Sequence, residues 1–491
     1  MKSFTLTFIV VLTFVCGSYA QKKDITTALY GTYNDYKESS LDARRIKHTQ
    51  LSPLLKAYAS NKKFKVKKVG QSIEGRSISL ISIGTGPINV FLWSQMHGDE
   101  PTATQAIFDI LNFLDHNSFQ KEKEEILNKV TLHFLPMLNP DGAEVFTRRN
   151  ALGIDINRDA LRLQSPEGQI LKRVRDSLKA DFGFNLHDQS TYYNAERTAK
   201  PATISYLAPA YNYEKEINEV RGNAMKVIVF MNTIIQKYAP GQVGRYNDDF
   251  EPRAFGDNIQ KWGTSAILIE SGGNYDDIEK QEIRKLNYVS IVSAIYAIAT
   301  SSYQGIAIDE YEKIPKNDRK LFDLKIENVT YDLLGKKYQL DIGINHLEIN
   351  TERHKAFYCV SKIIDQGDLS TYYGYRTLNA TGYTVKEAKV YPRILNTMED
   401  FNKLNPLEIV NEGYLFVVVK DFPVTLKTTN LPLNIVETTY TPSKTLRLNV
   451  GKNPNFFLEK DGKLKFAVVN GYLINLENGN GFFKNALVLK Q

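Results

Sequence analysis

LWSQMHGDEPTA, Leu92 to Ala103, decides how this chain is read. The apolar, β-favouring run INVFLW (Ile88 to Trp93) ends in His97-Gly98-Asp99-Glu100, and helix-like spacing resumes after Pro101. A buried strand that delivers a histidine and two acids at its end permits two readings. One is a metal site; the other is a polar turn leading into a helix cap.

Working outward, runs of the same texture recur. SISLISIG, VTLHFLPML, DFGFNLHD, TISYLAPA and TSAILIESGG read as strands. Thr102–His116, Gly168–Lys179, Glu214–Ala239 and Glu279–Ser301 carry helical spacing. Alternation of this kind predicts an α/β domain, a largely parallel or mixed central sheet flanked by helices. In such folds reactive groups gather beyond the carboxyl edge of the sheet. After about Gln304 the pattern becomes short alternating strands with Gly, Asn and Asp turns, which predicts a mainly β C-terminal domain. The expected division is 1–20, 21–305 and 306–491.

At 491 residues the chain exceeds the size of a single growing core. Its 42% apolar and 24% charged content is that of a soluble globular protein. A net charge of +7 with no long Lys/Arg block argues against a nucleic-acid partner; KKFKVKK (Lys62 to Lys68) reads as an exposed strand edge. MKSFTLTFIVVLTFVCGSYA has Lys2, a short apolar run and Ser18-Tyr19-Ala20, the pattern of a secretory signal peptide cleaved after about Ala20. Later apolar runs are too short to span a bilayer. The expectation is a secreted or periplasmic protein with Cys359 as its one remaining cysteine, packed in an apolar strand.

Of seven histidines, His97 and His187 stand apart, each closing an apolar strand and followed by an acid. His133, alternating with apolar neighbours, reads as a satisfied core histidine. His97-x-x-Glu100 alone is a weak signal. A catalytic zinc, however, takes three N or O ligands and keeps one position open, and His187 at a neighbouring strand end can supply the third. TRRNALGIDINRD crowds Arg148, Arg149, Asn157 and Arg158 into one loop, where guanidinium groups suit an anion or developing charge. Glu270 ends the apolar strand TSAILIESGG, a place for a general base.

The order HGDE, NPDG, R-x-N-x-x-G-x-D-x-N-R, a strand ending in His and a strand ending in Glu resembles the zinc metallocarboxypeptidases, the carboxypeptidase A-like family, over about Tyr30 to Tyr303. The resemblance implies a carboxypeptidase-like fold and one Zn2+ ion held by His97, Glu100 and His187. It implies Arg148 at the scissile carbonyl, with Arg149 as the alternative, and Asn157 with Arg158 clamping the substrate carboxylate. It implies Glu270 as general base and Tyr246 as the approximate counterpart of a substrate-binding tyrosine. Substrates would be peptides with a free C-terminal carboxylate. Asp159, Arg253 and Asp257 raise the prospect of a polar side-chain pocket. Two other readings stay open: an amide hydrolase acting on acylated amino acids or cell-wall peptides, and a peptide- or glycan-binding protein with a vestigial catalytic domain. The C-terminal region is similar, more weakly, to the β-sandwich that flanks amidohydrolase barrels, which implies an accessory domain.

Overall fold

A computed structural model describes residues 25–440 and 447–490. The expected signal peptide lies outside the described residues. The first part of the chain builds one eight-stranded sheet from β1 (Lys65–Gln71), β2 (Ser77–Ile83), β3 (Ile88–Ser94), β4 (Val130–Leu135), β5 (Phe182–Asp188), β6 (Ile204–Leu207), β7 (Val243–Arg245) and β8 (Ser265–Ser271). Their spatial order is β1-β2-β4-β3-β5-β8-β6-β7. The four central strands β4-β3-β5-β8 run parallel; β1 and β2 pair antiparallel to their neighbours, and β6 pairs antiparallel to β8 and parallel to β7. This is the mixed sheet expected. The Lys-rich run forms β1, an edge strand whose lysines keep unpaired backbone groups from recruiting another chain.

Side chains alternate across a strand, and here the alternation sorts two cores. Val90, Leu92, Phe184, Ile267 and Ile269 face one side, where helices α1 (Thr102–Asp115), α3 (Glu219–Ile235) and α5 (Gln281–Thr300) pack. Phe91, Trp93 and Ala266 face the other, under α2 (Pro166–Leu178) and α4 (Phe255–Lys261). The expected start of α3 near Glu214 moves to Glu219, because Asn218 caps the helix by accepting from Arg221 N.

The rest of the chain is mainly β. Leu321–Leu333, Lys336–Asn350 and Phe357–Gly367 form an antiparallel meander inside an eight-stranded sheet. A six-stranded sheet pairs Tyr414–Asp421, Asn434–Val436 and Ala486–Leu489 in parallel. The two sheets share a core in which Phe457 and Val469 meet Val417 and Ile435. Cys359 is buried and unpaired, and His133 is satisfied by Ser82 and Asn89. Across the junction Arg45 Nη2 reaches Glu348 at 2.9 Å, Tyr192 OH donates to Asp323 at 2.9 Å, and Asn317 Nδ2 donates to Gln189 Oε1 at 2.7 Å. Among the described residues no helix is long and apolar enough to cross a membrane.

Candidate functional site

Strand register brings the first two groups together. In the parallel β5–β8 pair, His187 lies directly opposite Glu270, both on the α2/α4 side and both at the carboxyl end. β3 lies on the other side of β5, with Ser94 opposite Leu186, so the turn after β3 sets His97 and Glu100 beside His187. That turn is tight. Gln95 adopts φ +50, and its amide bonds Gly98 O at 3.0 Å, holding the loop before the histidine. Gly98 matters for a reason the sequence did not disclose. It has no left-handed backbone; instead a Cβ there would lie 2.0 Å from the carbonyl carbon of Gly142. HGDE and NPDG are therefore packed backbone to backbone. The NPDG segment enters a short helix, Pro140–Val145, capped by Asn139 Oδ1 on Gly142 N at 2.9 Å.

His97 Nδ1 and His187 Nδ1 converge on the two oxygens of Glu100, at 2.8 and 2.6 Å, and lie 3.1 Å from each other. All three side chains are buried. His97 Nε2 meets Asp155 Oδ1 at 3.1 Å; with its proton given to that carboxylate, the lone pair of Nδ1 points at the common centre. Burial opposes charge on His97, yet Glu100 and Asp155 outweigh it and push the imidazole up to about 9. Two carboxylates thus demand a positive charge where the donors meet, which fits a divalent metal ion held by one O and two N donors.

Around this centre a cleft of about 480 Å³ is lined by Glu270, Arg148, Asn157, Arg158, Tyr246 and Asp257, among others. Glu270 is 8% exposed; burial, and after it the negative charge of Glu100, raise its pKa well above the ordinary carboxylate value. Arg148 is held by Asp155, through Nε and Nη2 at 3.0 Å each, and its Nη1 approaches Glu100 at 3.3 Å. Arg149 turns away to Gly153 O at 2.9 Å. Asn157 Oδ1 is engaged by Phe255 N at 2.9 Å, which leaves its Nδ2 as the donor toward the cleft. Arg158 is steadied by its Nη1 on Asn157 O at 2.7 Å and by Glu251 at 3.4 Å. Tyr246 stands at the wall with its ring 6.1 Å from that of Tyr193.

His97, Glu100, Arg148, Asn157, Arg158, His187, Tyr246 and Glu270 therefore all border one cleft. Asp159 does not: its carboxylate accepts from Gln164 N, Ser165 N and Ser165 Oγ, and so shapes the chain before α2. Arg253 is exposed and paired with Glu251. Sequence reasoning passed over Asp155, although it sits two residues before Asn157 in the same loop and was the signal that could have found it. Asn185, two residues before His187 on the same face, was also missed; its buried Oδ1 has no hydrogen-bond partner and it lines the cleft.

Comparison with known proteins bears on this geometry. Carboxypeptidase E of Caenorhabditis elegans is 32% identical over 119 residues, 20% of this chain and 25% of its own length. Carboxypeptidase SOL1 of Arabidopsis thaliana is 31% identical over 176 residues, 29% of this chain and 35% of its own length. The chain thus spans only about a quarter to a third of these relatives. Among solved structures, a metallo-carboxypeptidase from Burkholderia cenocepacia aligns with a TM-score of 0.43 at 17% identity, over 52% of this chain and 69% of its own. Carboxypeptidase A from Helicoverpa armigera aligns with a TM-score of 0.40 at 14% identity, over 57% and 80%. The profile of the zinc carboxypeptidase family matches residues 54–233, a span that holds His97, Glu100, Arg148, Asn157, Arg158 and His187, while Tyr246 and Glu270 follow it. Residues 54–233 of this chain are therefore similar to the zinc carboxypeptidase family.

Proposed function

We propose that the protein is a zinc-dependent metallocarboxypeptidase that hydrolyses the C-terminal peptide bond of peptides. In this reading 1–20 directs export to the periplasm or the exterior, 21–305 is the catalytic unit and 306–491 an accessory β unit. The observation that carries the reading is the convergence of His97, Glu100 and His187 with Glu270 in one cleft that also presents Asn157 and Arg158.

His97, Glu100 and His187 would hold a single zinc ion. When bound, it supplies Lewis acidity, acidifying water and polarising a carbonyl oxygen. Asn157 Nδ2 and the free edge of the Arg158 guanidinium bind the terminal carboxylate of the peptide, for which a planar donor fork is well shaped. That anchor places the last peptide bond between Arg148 and Glu270. Arg148, already fixed by Asp155, donates to the carbonyl oxygen as negative charge develops there, at no reorganisation cost. Glu270 removes the proton from attacking water and returns it to the departing amine nitrogen; its raised pKa suits both steps. Tyr246 closes the wall beside the substrate.

Glu270→Gln tests this directly. The variant should bind zinc as the wild type does and release no C-terminal residue from a peptide panel. Retained turnover would overturn the assignment of the base.

A further inference from the structure

Glu100, His187 and Glu270 are each followed closely in sequence by a hydrogen-bonding residue, and these followers meet. Asp188 follows His187, Ser271 follows Glu270, and Thr102 comes two residues after Glu100. Asp188 Oδ2 accepts from Thr102 Oγ1 at 2.6 Å and from Lys280 Nζ at 3.1 Å. The same ammonium donates to Ser271 O at 2.9 Å, and Asp188 N points at Glu100 Oε2 at 3.3 Å. The Lys280 and Asp188 side chains are 6% and 7% exposed. Lys280 itself stands in a left-handed conformation, φ +52, directly before α5. A lysine accepts that backbone and that burial at a cost, so something in the fold must repay it.

We propose that Lys280 is a positioning residue: with Asp188 and Thr102 it forms a buried brace that sets the spacing of His187, Glu100 and Glu270. The inference rests on the metal and base assignments above. Without the brace Glu100 hangs from the turn past Ser94, where its ladder stops, and His187 and Glu270 sit one residue before their ladders end at Asp188 and Ser271. Beyond the ladder nothing in a sheet fixes where an end points. One ammonium with two acceptors on neighbouring strands, and one carboxylate with donors from two helix starts, supply that restraint. A charged pair suits the task because its bonds are short and directional in a site shut off from water. Asp188 Oδ1 has no hydrogen-bond partner, so the carboxylate is held through Oδ2, where Lys280 supplies an ion pair. Lys280 lies beyond the span that matches the family profile, and it lines a second cavity of about 200 Å³ at the junction with the C-terminal strands.

The test uses full-length protein and four variants: Lys280→Met, Lys280→Arg, Thr102→Val and Thr102→Ser. Zinc affinity is measured by chelator competition, and kcat and KM are measured on a peptide with a free C-terminus. Thr102→Val removes the donor at nearly constant shape and should weaken zinc binding ~10–100-fold, as loss of an outer hydrogen bond to a metal site does, while Thr102→Ser restores it. Lys280→Met should lower kcat and zinc affinity with KM little changed, and Lys280→Arg should recover part of both. Equal zinc affinity and kcat in Thr102→Val and Thr102→Ser would overturn the brace, even if Lys280→Met fails to fold. The affinity arm decides the brace without any peptide being cleaved. Wild-type protein that binds zinc but releases no C-terminal residue counts against the proposed function instead.

Discussion

Asp155→Asn probes how the cleft is held together. Asp155 Oδ1 accepts from His97 Nε2 at 3.1 Å and from Asn157 N at 3.0 Å. Its Oδ2 accepts from Arg148 Nε and Nη2, both at 3.0 Å. Four donors converge on one carboxylate, and an amide offers a single acceptor oxygen with two protons that have nowhere to go. If the new NH2 faces Arg148, two charge-assisted bonds are lost, each worth about 1.5–3 kcal/mol. The guanidinium then swings free, and the loss should resemble removal of an oxyanion donor, ~10²–10³-fold in kcat. If the NH2 faces His97, the imidazole must move its proton to Nδ1, the nitrogen aimed at the metal centre. Zinc affinity should then fall ~10–100-fold. Chelator competition and steady-state kinetics on one peptide separate the two outcomes. An Asp155→Asn protein with wild-type zinc affinity and wild-type kcat would refute the reasoning, because no orientation of the amide satisfies both neighbours.

Other expectations follow from the same geometry. Burial holds the Asp257 carboxyl up at about 7, against 3.8 for an ordinary aspartate. The folded chain therefore keeps a proton that the unfolded chain has released, and stability falls as pH rises between these values. Asp257→Asn should raise Tm over the wild type at mildly alkaline pH, with the gain vanishing in acid; an equal gain at both would contradict the assignment. Arg284 and Asp109 are wholly buried and bonded at 2.5 Å, tying α5 to α1, so Arg284→Met should cost ~3–5 kcal/mol in a urea titration. A midpoint unchanged by that substitution would show the pair to be dispensable. Amidated peptides should be cleaved far more slowly than their free acids, and equal rates would remove the clamp role of Asn157 and Arg158.

The sequence disclosed the site better than it disclosed what supports the site. His97, His187 and Glu270 were legible because each ends an apolar run, and an ionisable residue at such a place is unusual enough to notice. Their juxtaposition was legible because central strands of an α/β sheet lie side by side, so residues at their carboxyl ends must meet. The sequence already favoured Arg148 over Arg149, and the fold adds a physical contrast between them. Both are adjacent in one loop, and Asp155, seven residues on, selects which guanidinium is drawn inward. Strand signals held because the continuous apolar run from Val90 to Trp93 serves two real cores, Val90 and Leu92 on one face and Phe91 and Trp93 on the other. Boundaries shifted where a cap decided them, as Asn218 does for α3.

Lys280 illustrates why the supporting residues stay hidden. In sequence it is one lysine among many, the second residue of the expected helix Glu279–Ser301. Its partners, Asp188 and Ser271, are 92 and 9 residues away, and neither spacing carries any period. The same holds for Gly98, whose need for a bare backbone comes from Gly142, 44 positions later, and not from its own φ. Ligands are chosen for chemistry that their residue type announces. Supports are chosen for a contact that exists only after the chain has closed, and any donor of the right length could have served. A residue of common type, buried with its charge beside the strand ends that carry His187 and Glu270, is therefore where a site's framework extends past what motifs record.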